Sequence, residues 1–377
     1  MAVDCMKVDH MLSSDIGSMP VTTEPEVIEA GAQRSGTLLP LLNYGVEEYD
    51  GFSEAVVSAY ADKVRAGVDV PNYPQFRDMN EMFFKLMRGV EKARGALYAA
   101  GSIKPIQGAS IPEVDVIRRE SAEVRELSGR DEVRLRVCVT GPYTLASFFQ
   151  ARTPGLYREL GHALSGILGA SLFRTRYAEV AHVCVDEPVL GFMNDPLLDF
   201  GSDGREALRA AWDEVCRTAS VRGVETSMHL HNTSENLFWE VEHLDTVASH
   251  VGDPIYTSDS TRQQMEEKDK NIWAAVGVTQ FDDLIHMHYL AEGFEGEMPE
   301  KIAETWTGMK KGTIDPYIFL EDQGTMEKRL VKIMEYFGAE RVTYASPECG
   351  LNSFPDYGVA VECLRRSAAA IKKRSLG

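Results

Sequence analysis

Short apolar runs alternate with longer amphipathic stretches along almost the whole chain, and this alternation limits the fold more than any other feature. A strand of four to eight apolar residues followed by a stretch with helical periodicity is the signature of a βα unit and a parallel sheet. Eight runs read as strands: 15–18, 68–71, 135–140, 183–186, 226–231, 254–259, 312–315 and 342–346. Eight is the barrel number, and 377 residues leave room for decoration around the roughly 250 that a (β/α)8 barrel needs. The expected fold class is therefore α/β, a (β/α)8 TIM barrel formed by residues 1–377 as a single catalytic domain.

The helical stretches are expected at 52–66, 157–180, 205–218, 235–250, 326–337 and 357–373. In the first, Val56, Val57, Tyr60 and Val64 share one face and Gly67 marks the stop. Met79, Met82, Phe83, Leu86, Met87 and Val90 repeat at helical spacing and read as core. Two stretches exceed a minimal barrel. Residues 92–132 form an excursion between the second and third strands. Residues 262–311 form a long insertion before strand 7, read as a lid, in which 271–279 fits either a strand or a helix.

Composition removes several function classes. The formal charge of −19 repels phosphate backbones, so nucleic acid is a poor partner. No run reaches the ~18 apolar residues of a membrane span. The first fifteen residues lack the basic and apolar regions of a signal peptide, so a cytoplasmic protein is expected. Six scattered cysteines without a CxxC pair read as free thiols.

In such a barrel the reactive groups stand at the C-terminal ends of the strands. Strand four ends in Asp186-Glu187-Pro188, strand five in His229-Leu230-His231, strand six near Asp259, and strand eight runs into Pro347-Glu348-Cys349-Gly350. Residues two apart on a strand face the same side, so His229 and His231 point together. Two imidazoles, a carboxylate and a thiolate are an N/O/S set that zinc accepts in tetrahedral geometry. His286-Met287-His288 has the same spacing but lies in the insertion. Cys138, Cys184, Cys216 and Cys363 read as packing.

Four motifs in order then carry a resemblance. Ile16-Gly17-Ser18-Met19-Pro20, Thr140-Gly141-Pro142, Val185-Asp186-Glu187-Pro188-Val189-Leu190 and Pro347-Glu348-Cys349-Gly350-Leu351 resemble the IGSFP, TGP, IDEPAL and NPDCGL elements of the catalytic barrel of cobalamin-independent methionine synthase. The chain resembles the short, archaeal-type form within the wider uroporphyrinogen decarboxylase and methionine synthase superfamily. The resemblance implies a zinc-dependent methyltransferase that methylates a small thiol such as homocysteine. It implies a methylated corrinoid protein or methyl-folate as donor, and His229, His231, Asp259 and Cys349 as metal ligands. His231 stands where the family has a cysteine. Asp259 stands for the family's glutamate, and a rival register sets Tyr256-Thr257-Ser258 there. Asp186, His229 and Cys349 are the expected catalytic residues. Ile16, Gly17 and Ser18 are expected to receive the substrate carboxylate and Asp186 its amino group. The family's acidic stretch after strand two is replaced by Tyr73-Pro74-Gln75-Phe76, and its histidine after strand seven has no match near Asp315-Pro316-Tyr317. Two other readings stay open: a uroporphyrinogen decarboxylase-like enzyme, which needs basic residues in its mouth, and a non-catalytic subunit that binds a corrinoid protein.

Overall fold

The computed structural model describes residues 11–35 and 47–375. Its strands are β1 (Leu12–Ser13), β2 (Met87–Ala93), β3 (Ala96–Pro105), β4 (Val133–Thr140), β5 (Ala178–Glu187), β6 (Glu225–Leu230), β7 (Thr246–Ala248), β8 (Asn271–Gly277) and β9 (Val342–Pro347). Seven of them form one parallel sheet in the order β1-β9-β8-β7-β6-β5-β4. Its two edges are joined by residues 69–75. Ser14 bridges Val70 on one side and Asn72 bridges Arg136 on the other. Val70 N donates to Ser13 O at 3.0 Å and Arg136 N to Pro71 O at 2.8 Å. This segment is the second barrel strand, and the ring of eight closes. It is irregular because Pro71 has no N–H to give and because Asn72 N donates instead to Asp15 Oδ1 at 2.8 Å.

The helices pack outside the sheet, so strands such as β4 and β5 are buried on both faces and read as nearly continuous apolar runs. Helix Glu47–Arg65 buries Val56, Val57, Tyr60 and Val64 as expected, and Gly67 follows at φ +104°. It also carries Lys63 into the interior. The Lys63 ammonium meets Asp15 Oδ2 at 2.7 Å, Gly17 O at 3.0 Å and Asn72 O at 3.1 Å, so it ties the first strand to the second. Glu187 does the same for the third and fourth strands. It accepts from Tyr143 N, Thr144 N, Thr144 Oγ1 and Trp212 Nε1 at 2.6–2.9 Å. A Cβ on Gly141 would lie 2.1 Å from that carboxylate.

Several expected elements are corrected. The strand expected at 254–259 is a turn, Pro254–Tyr256, capped by Asp253, followed by helix Asp259–Lys268. An Asx cap followed by proline starts a turn, whatever the apolar content that follows. The sixth strand is β7, inside the stretch expected as helix 235–250. The strand expected at 312–315 is the close of helix Met298–Lys310, with Gly312 at φ +70° and Thr313 N returning to Gly308 O. The seventh strand is β8, which resolves 271–279 as strand. The additional helices Phe281–Ala291 and Met298–Lys310 therefore follow strand seven rather than precede it. Helix Pro154–Ser171 stops short of 180 because β5 begins at Ala178. The Met-rich stripe is not one helix: Glu81–Phe84 is a single turn, and Met87 enters the antiparallel β2–β3 hairpin. Arg94 and Gly95, both at positive φ, make its two-residue turn of type I′. Met82, Phe83 and Met87 are nevertheless buried.

Cys138, Cys184, Cys216 and Cys363 are buried free thiols. Cys5 and the first ten residues lie outside the described residues. No described helix is long and apolar enough to cross a membrane.

Lys63→Met should lower the unfolding free energy by about 3–5 kcal/mol, because it leaves Asp15 charged and buried without its partner. Adding Asp15→Asn should recover part of that loss. Urea titration of the two variants checks both statements, and an unchanged midpoint in the single variant would refute the role given to Lys63.

Candidate active site

A cavity of about 440 Å³ opens where the strands end, lined by Ile16, Ser18, Gln75, Arg77, Asp186, Pro188, His229, His231, Cys349 and Asn352 among others. A larger cleft of about 630 Å³ lies on the flank near Trp239 and Lys270, and none of the expected site residues lines it.

Four strand ends deliver the reactive groups. Asp186 on β5 pairs in register with His229 on β6, and His229 with Ala248 on β7. His231 follows β6, His250 follows β7, and Cys349 follows β9. The ligand atoms of His229, His231, His250 and Cys349 all lie within 4.8 Å of one another. The rings of His231 and His250 are 4.1 Å apart, and Cys349 Sγ is 3.5 Å from His231 Nε2. A tetrahedral zinc site with ordinary bond lengths spaces its ligand atoms roughly 3.3–3.6 Å apart, so this cluster needs little contraction.

The electrostatics of the four groups suit a cation. Burial pushes the imidazole pKa values down, His229 well below the usual range, His231 to about 4, and His250 in the same direction. All three rings are thus neutral at pH 7, with a lone pair to give. His229 Nε2 lies 2.9 Å from the Glu348 carbonyl oxygen. A carbonyl only accepts, so Nε2 carries the proton and Nδ1 keeps the lone pair. His250 Nε2 is buried with no hydrogen-bond partner among the described residues, which is the orphan that an absent ligand would satisfy. Burial also pushes the Cys349 thiol up to about 12. Only a nearby positive charge would make it a thiolate at neutral pH. The donor set fits zinc.

The loops around the cluster are locked to one another. Glu348 accepts from Val251 N at 2.8 Å and Thr279 N at 2.9 Å, joining the loops after β7, β8 and β9. Leu351 N donates to Ser18 O at 2.7 Å, and a Cβ on Gly350 would lie 1.9 Å from Ser18 Oγ. Gly17, at φ +128°, has Asn72 Nδ2 2.3 Å from where a Cβ would stand. The 16–18 loop therefore sits against the cysteine loop. Asp186 lies beside the cluster, with His229 Nδ1 and Arg136 Nη2 each 3.7 Å from its Oδ1 and the Cys184 thiol donating at 3.3 Å.

Of the expected metal ligands, the structure brings His229, His231 and Cys349 together and leaves Asp259 apart from them. That residue starts a surface helix, its side chain 89% exposed and bonded to the Tyr336 hydroxyl. Its carboxylate serves the helix N-terminus. The rival register fails too: Tyr256 is buried, and its hydroxyl braces Ser249 and Trp273. The residue that reasoning from sequence missed is His250. Its signal was the run Asp245-Thr246-Val247-Ala248, β-branched in the middle, which ends at a histidine as β6 does. His286 and His288 lie on helix Phe281–Ala291, apart from the site.

With this geometry in hand, the comparisons are specific. A methionine synthase of Methanothermobacter marburgensis is 23% identical over 355 residues, spanning 92% of this chain and 94% of that protein. One from Methanothermobacter thermautotrophicus is 28% identical over 233 residues, 60% of this chain and 68% of that protein. Among solved structures, a B12-independent methionine synthase from a Shewanella species, in complex with selenomethionine, superposes with a TM-score of 0.59 at 15% identity over 97% of this chain and 99% of that one. This chain resembles the catalytic barrel of methionine synthase along nearly its full length. A methyltransferase from Methanosarcina mazei has the same fold at a TM-score of 0.50 and 13% identity, covering 97% of this chain and 94% of that one. No family model matches the chain.

In metal-free protein, Cys349 should react with iodoacetamide at pH 8 roughly a thousandfold more slowly than a small thiol, because so little of it is thiolate. The rate should rise about tenfold per pH unit from neutral to alkaline. Peptide mass spectrometry after timed alkylation measures it, and a rate like that of a free thiol would contradict the burial effect.

Proposed function

We propose that this chain is a zinc-dependent methyltransferase of the methionine synthase type, passing a methyl group to the sulfur of a small thiol such as homocysteine. The observation that carries this reading is the convergence of His229, His231, His250 and Cys349 at the mouth of a methionine synthase-like barrel, beside Asp186. The proposed metal ligands are those four, with His250 in the place expected of Asp259; an incoming sulfur would displace one of them or add a fifth. Zinc held by them would supply the positive charge that keeps an acceptor sulfur deprotonated at neutral pH.

The remaining work falls to the chain's own residues. Asp186 receives the amino group of the acceptor, and the backbone at Ile16, Gly17 and Ser18 its carboxylate, so that its sulfur is aimed at the cluster. The Glu348 carbonyl fixes the His229 tautomer, and the Glu348 carboxylate keeps three loops in register. The donor is a methylated corrinoid protein or methyl-folate. The seventh strand runs into Val278-Thr279-Gln280, again without a histidine to protonate a leaving group. This favours the corrinoid donor, whose departing cobalt needs no proton.

Protein purified without chelator should carry close to one zinc per chain. Cys349→Ser and His250→Ala should each weaken zinc by more than about a hundredfold and abolish thiol methylation. Asp259→Asn should keep both. Bound metal in none of the preparations, with methylation intact in Cys349→Ser, would overturn the site and the reading together.

Zinc affinity should also rise with pH. Below about 12 the Cys349 thiol holds a proton that the metal must displace, so affinity gains about tenfold per pH unit through neutrality. Below about pH 4, His231 protonates as well and the dependence steepens. Competition against a chromophoric chelator between pH 5 and 8 measures the slope, and a flat profile would exclude Cys349 as a ligand.

A further inference from the structure

The cavity has a second polar wall that the proposed function leaves unused. Gln75 pairs with Ser18 as a parallel bridge, and its N–H donates to Gly17 O at 3.2 Å. It therefore stands directly beside the loop expected to receive the acceptor's carboxylate. Its side chain lines the cavity and is buried, 7% exposed. Yet its amide has only sulfur for company: Nε2 lies 3.7 Å from Met82 Sδ, and Oε1 lies 3.9 Å from Cys138 Sγ. Neither replaces a bond to nitrogen or oxygen, and a buried amide without one is costly.

Two residues on, Arg77 also lines the cavity. It commits Nε and Nη2 to the buried Glu113 carboxylate at 2.7 and 2.8 Å. Its Nη1 has no partner among the described residues. Asp78 also lines the cavity; it is exposed, and its Oδ1 accepts from Asn80 N and Glu81 N. Asp186, by contrast, already faces the Cys184 thiol, Arg136 and His229.

We propose that Gln75 and Arg77 join the 16–18 backbone in binding the carboxylate of the acceptor thiol, so that the site gains more from that carboxylate than from the ammonium that Asp186 receives. An amide N–H and a guanidinium N–H beside a turn of backbone are the donors a carboxylate requires, and charge-assisted bonds of this kind are the strong ones. The proposal rests on the thiol-methyltransferase reading and specifies its substrate class. It assigns a role to the segment in which Tyr73-Pro74-Gln75-Phe76 replaces the family's acidic stretch. A neutral amide there removes a partner for an ammonium and leaves one for an anion.

Calorimetric titration of the protein as purified, with homocysteine, with mercaptobutanoate (homocysteine without its amine) and with mercaptopropylamine (homocysteine without its carboxylate), tests it. Mercaptobutanoate should bind within about tenfold of homocysteine, and mercaptopropylamine about ten- to a hundredfold more weakly than either. Gln75→Glu, which sets a carboxylate against a carboxylate, should weaken both acids about tenfold or more and narrow their lead over the amine. The wild-type ranking needs no variant to fold. Thiols that bind with the amine equal to or better than mercaptobutanoate, or a ranking unmoved by Gln75→Glu, overturn this assignment and leave the thiol site standing. No binding by any of the three overturns the thiol site and this inference with it.

Discussion

Lys63 places its ammonium where the first two barrel strands meet, and the mouth of the barrel depends on that contact. The second strand makes only isolated bridges, because Pro71 interrupts its donors. A regular ladder there would hold itself. Here the ammonium does it, bonded to Asp15 and to the carbonyls of Gly17 and Asn72. From β4, Arg136 Nη1 braces the same turn at the carbonyls of Asp15 and Ile16, at 2.7 and 3.1 Å. Two buried cations thus shape the 16–18 loop. That loop in turn seats Gly350 and Leu351, and with them Cys349. Strand closure and site geometry are one problem in this fold.

The same burial that makes those cations expensive keeps the neighbouring cluster neutral. Removing water from three imidazoles and a thiol favours the neutral form of each. The cluster is consequently rich in lone pairs and poor in charge, a combination that suits a cation. Asp186 adds a carboxylate whose own pKa is raised by burial, and Arg136 counters that rise. It lies beside the cluster without joining it.

Sequence made β4, β5, β6 and β9 legible; they are buried along most of their length, but so are β7 and β8, and burial alone did not decide which strands could be read. β5 and β6 carry Asp186 and His229, and β6 and β9 lead into His231 and Cys349, so three of the four clustered residues were legible before the fold was known. What failed was local. β7 has three residues, too few to show a period, and the flanking Leu237, Val241 and Leu244 imitate a helix face. β8 sits between two helices and looked like part of a decoration, while residues 312–315 offered a false strand in its place. These two errors shifted the ligand expected after strand six by nine residues along the chain, from His250 to Asp259. The periodicity of a strand and the chemistry of a turn compete over such short runs, and at Asp253-Pro254 the turn wins.

The substitution of imidazoles for anionic ligands has a chemical consequence on the proposed reading. The family's set, as the resemblance implies it, has one histidine, two cysteines and a glutamate, which together would leave a divalent ion with a net negative charge. The set assembled here has three neutral imidazoles and one thiolate, which would leave it net positive. A more positive centre would deprotonate an incoming thiol more completely, because the thiolate would gain more from the ion. The sulfur would also be less nucleophilic, since reactivity falls as basicity falls. A site tuned this way would bind thiols readily and attack reluctantly, so it would need a methyl group that leaves easily. Methyl on a corrinoid cobalt meets that need without a proton donor, in keeping with a seventh strand that ends in Val278-Thr279-Gln280 and not in a histidine.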